Sequence, residues 1–114
     1  MPVRPLAWLH GELKTPPISV AGRVEFGALL RRLQNGEYLR MPHSRPMPVI
    51  GPRCHELRVP DGDVSWRLLY RTDPGAILIL DVFRKTTPTT PQRTLELCRE
   101  RLERFDRRRN DPWP

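Results

Sequence analysis

Apolar and polar positions change period several times along the 114-residue chain, and the changes divide it into elements. Leu6, Trp8 and Leu9, with Pro5 before them, predict a short strand from about Leu6, the proline marking an edge or a strand start. Thr15-Pro16-Pro17 breaks it. Val20, Val24, Phe26, Leu29, Leu30 and Leu33 then share a helical stripe, with Ser19 placed to cap its start and Asn35-Gly36 its end. Between Gly36 and Pro52 no period survives, and Pro42, Pro46, Pro48 and Pro52 predict an extended loop over 36–52. Alternation returns over 53–59, 65–71 and 76–83, separated by the turn sequences Pro60-Asp61-Gly62-Asp63 and Asp73-Pro74-Gly75. These three stretches predict an antiparallel meander. Thr86-Thr87-Pro88-Thr89-Thr90-Pro91 ends it, with Thr90 as the expected cap of a last helix and Pro91 at its first position. Leu95, Cys98, Leu102 and Phe105 give that helix one apolar seam, and residues 107–114 are expected to fray. The expected order, β-α-β-β-β-α, is that of an α+β fold: a small antiparallel sheet with helices packed on it, as one domain over 1–114.

Alternation also separates the faces of the meander. With Arg58 opposite Arg67, Val59 faces Trp66, Leu57 faces Leu68 and His55 faces Tyr70, and these six form an apolar face. The other face carries Arg58, Arg67, Arg71, Glu56, Cys54 and Leu69. A slip of one residue would bury Arg67 and Arg71, and the cost of unpaired buried charge argues against it. Leu78 and Leu80 fall on the arginine side with Leu69, so the last helix or a partner must cover part of that face. Asp81 falls on the apolar side in this register, at odds with its charge.

Two arginines directly opposed across a sheet repel one another. Glu56 and solvent can screen them, or an anion can sit between them. The whole chain leans the same way: 20 basic against 13 acidic residues give a net charge of +7, and Lys14 and Lys85 are the only lysines. Arginine suits bidentate contact with phosphate, although a genome rich in Arg codons gives the same bias. A polyanionic partner fits the charge, whether RNA, DNA or an acidic protein. No apolar run approaches the roughly 20 residues that cross a bilayer, and the first ten residues do not read as a signal peptide. Cys54 and Cys98 cannot build a disulfide framework and lack the paired spacing of a metal site, so a reduced, cytoplasmic setting without cofactor or metal is expected.

The succession His55-Glu56-Leu57-Arg58, Trp66-Arg67-Leu68-Leu69-Tyr70, a strand to Phe83 followed by Arg84-Lys85-Thr86-Thr87, and Thr90-Pro91 resembles the RelE/HigB superfamily. It is closest to the phage-derived HigB-like branch. Leu9-His10-Gly11-Glu12 and Met41-Pro42-His43-Ser44-Arg45-Pro46 resemble that branch too, so the likeness spans nearly the whole chain, from about Trp8 to Phe105. The resemblance implies a type II toxin of a toxin–antitoxin pair that cleaves mRNA on the ribosome. A ribose 2′-oxygen attacks the adjacent phosphate, without metal. It implies that Arg58, Arg67 and Lys85 act at the scissile phosphate, with Arg71, Arg84 and Arg53 holding RNA backbone. Its implied partner is an antitoxin, often a helix-turn-helix protein, for which Leu69, Leu78 and Leu80 would offer a docking strip if left uncovered. Glu56 stands where a RelE-type lysine is expected and no Tyr follows Lys85, so the proton-transfer group is open. His55 is chemically suited but turned to the core by alternation, His43 lies in the loop, and His10 is expected to be structural. A non-nucleolytic toxin of the same fold, like the gyrase-inhibiting ParE branch, and a basic phage-derived binding module are the competing readings.

Overall fold

The computed structural model describes residues 3–110. Its elements are β1 (Leu6–Trp8), α1 (Val20–Gln34), β2 (Ser44–Pro46), β3 (Cys54–Asp61), β4 (Val64–Thr72), β5 (Ile77–Arg84) and α2 (Gln92–Asn110). The five strands form one sheet in the order β1-β5-β4-β3-β2. The fold is α+β, as the periodicity predicts, with one helix on each face of the sheet.

The β3–β4 hairpin has the register that alternation implies. Arg58 pairs with Arg67, Val59 with Trp66, Leu57 with Leu68 and His55 with Tyr70. A two-residue turn, Gly62-Asp63, joins Asp61 to Val64, and Gly62 takes the positive φ of 62° that such a hairpin needs. Phe26, Leu29, Leu30 and Leu33 of α1 pack on Leu57, Val59, Leu68, Tyr70, Ile77 and Ile79. Ser19 caps α1, accepting from the Gly22 amide at 2.9 Å, and Asn35 ends it. Asp61 anchors this end from the hairpin, accepting from the Ser19 amide and the Trp66 indole, each at 3.0 Å. The Ser19 bonds hold its carboxyl below the usual carboxylate range.

Val20 and Val24 depart from the expected stripe: both point to solvent, 69% and 67% exposed. The stripe that reaches the sheet starts at Phe26, because the Asp61–Ser19 anchor fixes the rotation of the first turn. Arg4 fastens the other end of α1, donating to the Leu33 carbonyl at 2.8 Å and to the Asp73 carbonyl at 3.0 Å.

Two strands have pairings that alternation does not reveal. β1 lies parallel to β5, Leu6 beside Ile77 and Trp8 beside Ile79, which makes the sheet mixed. β2 forms inside the stretch expected to be a loop, antiparallel to β3, with Arg45 opposite Glu56. Three residues are too few to show a period, and Pro46 is tolerated because β2 is an edge strand.

On the second face, Leu95, Cys98 and Leu102 of α2 cover Leu69, Leu78 and Leu80, each wholly buried. The expected docking strip is therefore core. α2 runs to Asn110, past the start of the expected frayed tail, and residues 111–114 lie outside the described residues. The Pro91 carbonyl accepts from the Leu95 amide, so Pro91 takes the cap position expected for Thr90. Asp81 is also corrected. A bulge sets Tyr70 against Ile79 but Leu69 against Asp81, so Leu80 is the extra residue and the parity of β5 flips beyond it. Asp81 thereby turns to α2, 3.5 Å from Arg101.

Both cysteines are free and buried, and burial pushes the Cys54 thiol up to about 11 and Cys98 to about 12. In the native protein at pH 8 neither is expected to react with a thiol-specific maleimide, and both are expected to react in guanidinium. Labelling counted by mass spectrometry checks this, and fast native labelling of either would contradict the packing under α2.

Candidate functional site

The α2 side of the sheet carries charge at both ends, and the two ends are built differently. At the hairpin end, Glu56 is 2% exposed and sits among three arginines. Its Oε1 lies 2.9 Å from Arg45 Nε, 3.5 Å from Arg67 Nε and 3.9 Å from Arg58 Nε. Thr90 donates its hydroxyl to Oε2 at 3.3 Å. The carboxylate thus joins β2, β3, β4 and the segment after β5. Three guanidinium charges against one carboxylate leave the group with two positive charges. Burial and the nearby Arg58 pull the Arg67 pKa down, so a second anion beside Arg67 would be favoured there.

Beside this group lies a small, open concavity of about 30 Å³. Arg45, Glu56, Arg67, Arg84 and Lys85 line it, and the segment 86–91 forms its rim. Lys85 is brought there by the end of β5, its amide bonded to the Ser65 carbonyl at 2.8 Å. Arg67 also donates to the Trp66 carbonyl at 3.1 Å, which fixes its guanidinium plane. Rigid strands therefore hold a cationic array at a solvent-facing hollow, the arrangement that stabilises added negative charge without reorganising.

Of the sequence candidates, Arg58, Arg67, Lys85 and Arg84 come together at this end. Arg71 and Arg53 do not. Arg71 is buried at the far end, where its guanidinium donates to both oxygens of Asp73, at 2.8 and 2.9 Å, and both of Asp106, at 2.9 and 2.7 Å. Those four bonds occupy the donors that a phosphate would need, and they push its pKa up. Arg53 bonds the Thr72 carbonyl at 3.0 Å and Asp73 at 3.3 Å, and Arg109 lies 3.7 Å from Asp73. This end ties α2 to the sheet.

The histidines separate as well. His55 lies on the α1 face, stacked on Tyr70 with ring centroids 5.4 Å apart and donating from Nδ1 to the Arg53 carbonyl at 3.2 Å. His43 stands next to the arginine group, its carbonyl accepting from the Arg58 amide at 2.8 Å. His10 is exposed. Among the described residues no group of three or more His, Cys, Asp or Glu is placed to hold a metal ion.

Burial holds the His55 pKa below its ordinary 6.5. The unfolded chain then takes up this proton before the folded chain does, so stability is full above 6.5 and is lost as pH falls through the lowered folded value. The urea midpoint is expected to drop between pH 7.5 and 5.5, and to drop less in His55→Phe, which keeps the stacking. Equal drops in both proteins would exclude His55 as the cause.

Alternation places Glu56 on the arginine face, but its burial and its partner Arg45 are not readable from the chain, because β2 is too short to show. Thr90 is hidden in the same way, since its hydroxyl spans 34 residues to reach Glu56.

A family model described as "Phage derived protein Gp49-like (DUF891)" matches residues 12–103. No curated protein and no solved structure matches the chain.

Proposed function

The chain belongs to the phage-derived Gp49-like family, and from that premise we propose that it is the toxin of a type II toxin–antitoxin pair and acts as an endoribonuclease on ribosome-bound mRNA. The observation that carries this reading is the cationic array of Arg45, Arg58 and Arg67 around Glu56, with Lys85 and Arg84 at the same hollow. Cleavage by the RNA's own 2′-hydroxyl makes charge on phosphorus the main problem. The 2′-oxygen loses its proton and bonds to phosphorus, the bond to the 5′-oxygen breaks, and that oxygen takes up a proton. Products are a 2′,3′-cyclic phosphate and a 5′-hydroxyl. Arg67 and Arg58 hold the non-bridging oxygens, Lys85 supports the leaving oxygen, and Arg45 and Arg84 add backbone contacts. Glu56 keeps the guanidinium groups aimed. In this reading proton transfer falls to His43, whose carbonyl accepts from the Arg58 amide at 2.8 Å. Arg71 and Arg53 serve the fold in this reading.

An antitoxin partner follows from the same reading, and with the leucines buried the antitoxin would act by covering the cationic hollow with acidic side chains. Induction of the chain without its partner, followed by mapping of cellular mRNA 5′ ends, tests the proposal. Growth arrest with new 5′-hydroxyl ends and cyclic-phosphate upstream ends is expected. Arrest with intact mRNA would overturn the nuclease reading in favour of a gyrase-type target, and normal growth would leave a basic binding module.

A further inference from the structure

A second concavity is lined by Arg58, the neighbour of Glu56 that does not line the first. Its walls are the first turns of α1, residues 42–43 and the β3–β4 hairpin, with Ala21, Pro42 and Pro60 as apolar surface and Glu25, His43 and Arg58 as polar groups. Arg58 links the two places: its Nε lies 3.9 Å from Glu56, which lines the first hollow, and Arg58 itself lines the second. Asp61, at the back, is already occupied by Ser19 and Trp66. Glu25 is different. It is half-buried, and among the described residues it forms no ion pair and no side-chain hydrogen bond.

Resting on the nuclease reading, we propose that this hollow holds a nucleobase of the bound RNA and that Glu25 makes it prefer guanine. A phosphate on Arg58 and Arg67 leaves its own nucleotide next to whichever cavity touches the same arginine. The apolar surface of Ala21, Pro42 and Pro60 suits the face of an unstacked base, and single-stranded RNA is read along base edges. A carboxylate can only accept hydrogen bonds. Guanine presents two parallel donors, N1–H and the exocyclic amine, which match its two oxygens. Adenine and cytosine offer one amine beside a ring acceptor, which repels the second oxygen. Uracil offers a single N–H between two carbonyls, the poorest match.

The test uses the intact chain with guanosine 3′-monophosphate and uridine 3′-monophosphate, followed by NMR titration, together with cleavage of a random-sequence RNA. Wild type is expected to bind the guanosine nucleotide about tenfold more tightly, the discrimination of one good bidentate pair. Glu25→Ala is expected to bind both equally, at the uridine affinity, and Glu25→Gln to fall likewise because its amide cannot accept twice. In the RNA pool, guanine is expected to be enriched at one position next to the cut in wild type and not in Glu25→Ala. Equal binding of both nucleotides by wild type, or an unchanged preference in Glu25→Ala, overturns the base pocket. Guanosine preference in a protein that cleaves nothing would instead remove the nuclease reading and leave the pocket standing. Circular dichroism of the variants keeps a folding defect distinct from either result.

Discussion

Arg67→Met is expected to lower RNA cleavage by about 10²–10³-fold, the scale seen when one preorganised charge-stabilising donor is removed, while leaving the fold nearly as stable as before. The two effects separate because of where Arg67 sits. Arg67 is 4% exposed, its guanidinium is fixed by the Trp66 carbonyl, and it lines the hollow with Lys85. A methionine fills a similar volume without the buried charge, and Glu56 keeps Arg45 at 2.9 Å and Arg58 at 3.9 Å as counterions. Exchange of a buried, repelled cation for an apolar side chain is then close to neutral, within about 1 kcal/mol. Arg67→Lys keeps charge but loses the planar fork, and is expected to recover only part of the activity. Single-turnover cleavage and urea unfolding on the same preparations measure both quantities. Cleavage within a few fold of wild type in Arg67→Met would remove Arg67 from the chemistry.

Arg71→Met is expected to do the opposite: a loss of about 3 kcal/mol in unfolding free energy, with cleavage per folded molecule unchanged. Here removal of the cation strands its partners. Asp73 is 3% exposed and would keep only Arg53 at 3.3 Å and Arg109 at 3.7 Å, both on solvent-exposed side chains that screen it weakly. Asp106 can turn to water, being 46% exposed at its side chain, but α2 loses the two bonds that tie it to β4. A loss of that size is a large share of a small domain's total of about 5–15 kcal/mol. Urea midpoints for wild type and variant give the value. A midpoint shift near zero would mean that the Asp73 group does not hold α2, and lost cleavage in folded Arg71→Met would return Arg71 to the RNA.

The pair of variants also divides what was legible from what was not. Alternation and the Asp61-Gly62-Asp63 turn together identify Arg58 and Arg67 as neighbours on one face, and the pairing is as expected. The same alternation puts Arg71 on that face with equal weight. Nothing local distinguishes an arginine that meets solvent from one that meets Asp106, 35 residues on. Asp81 shows the limit from another side. Parity arguments assume an unbroken ladder, and one extra residue at Leu80 reverses them. Val20 and Val24 have the spacing of a core stripe, yet a charge–cap contact from Asp61 rotates them outward.

By itself the sequence determined six of the seven elements, the ends of α1, the meander with the register of its first hairpin, and the cationic character of one sheet face. These rest on interactions between residues close in the chain: periods, turns, caps and adjacent strands. The tertiary structure alone decided that β1 closes the sheet beside β5, that β2 brings Arg45 to Glu56, that α2 buries the leucines, and that one arginine group is clamped by aspartates while the other opens onto a hollow. Each of those is a pairing between distant segments, and a pairing of that kind leaves no period in the chain because its two halves are patterned independently.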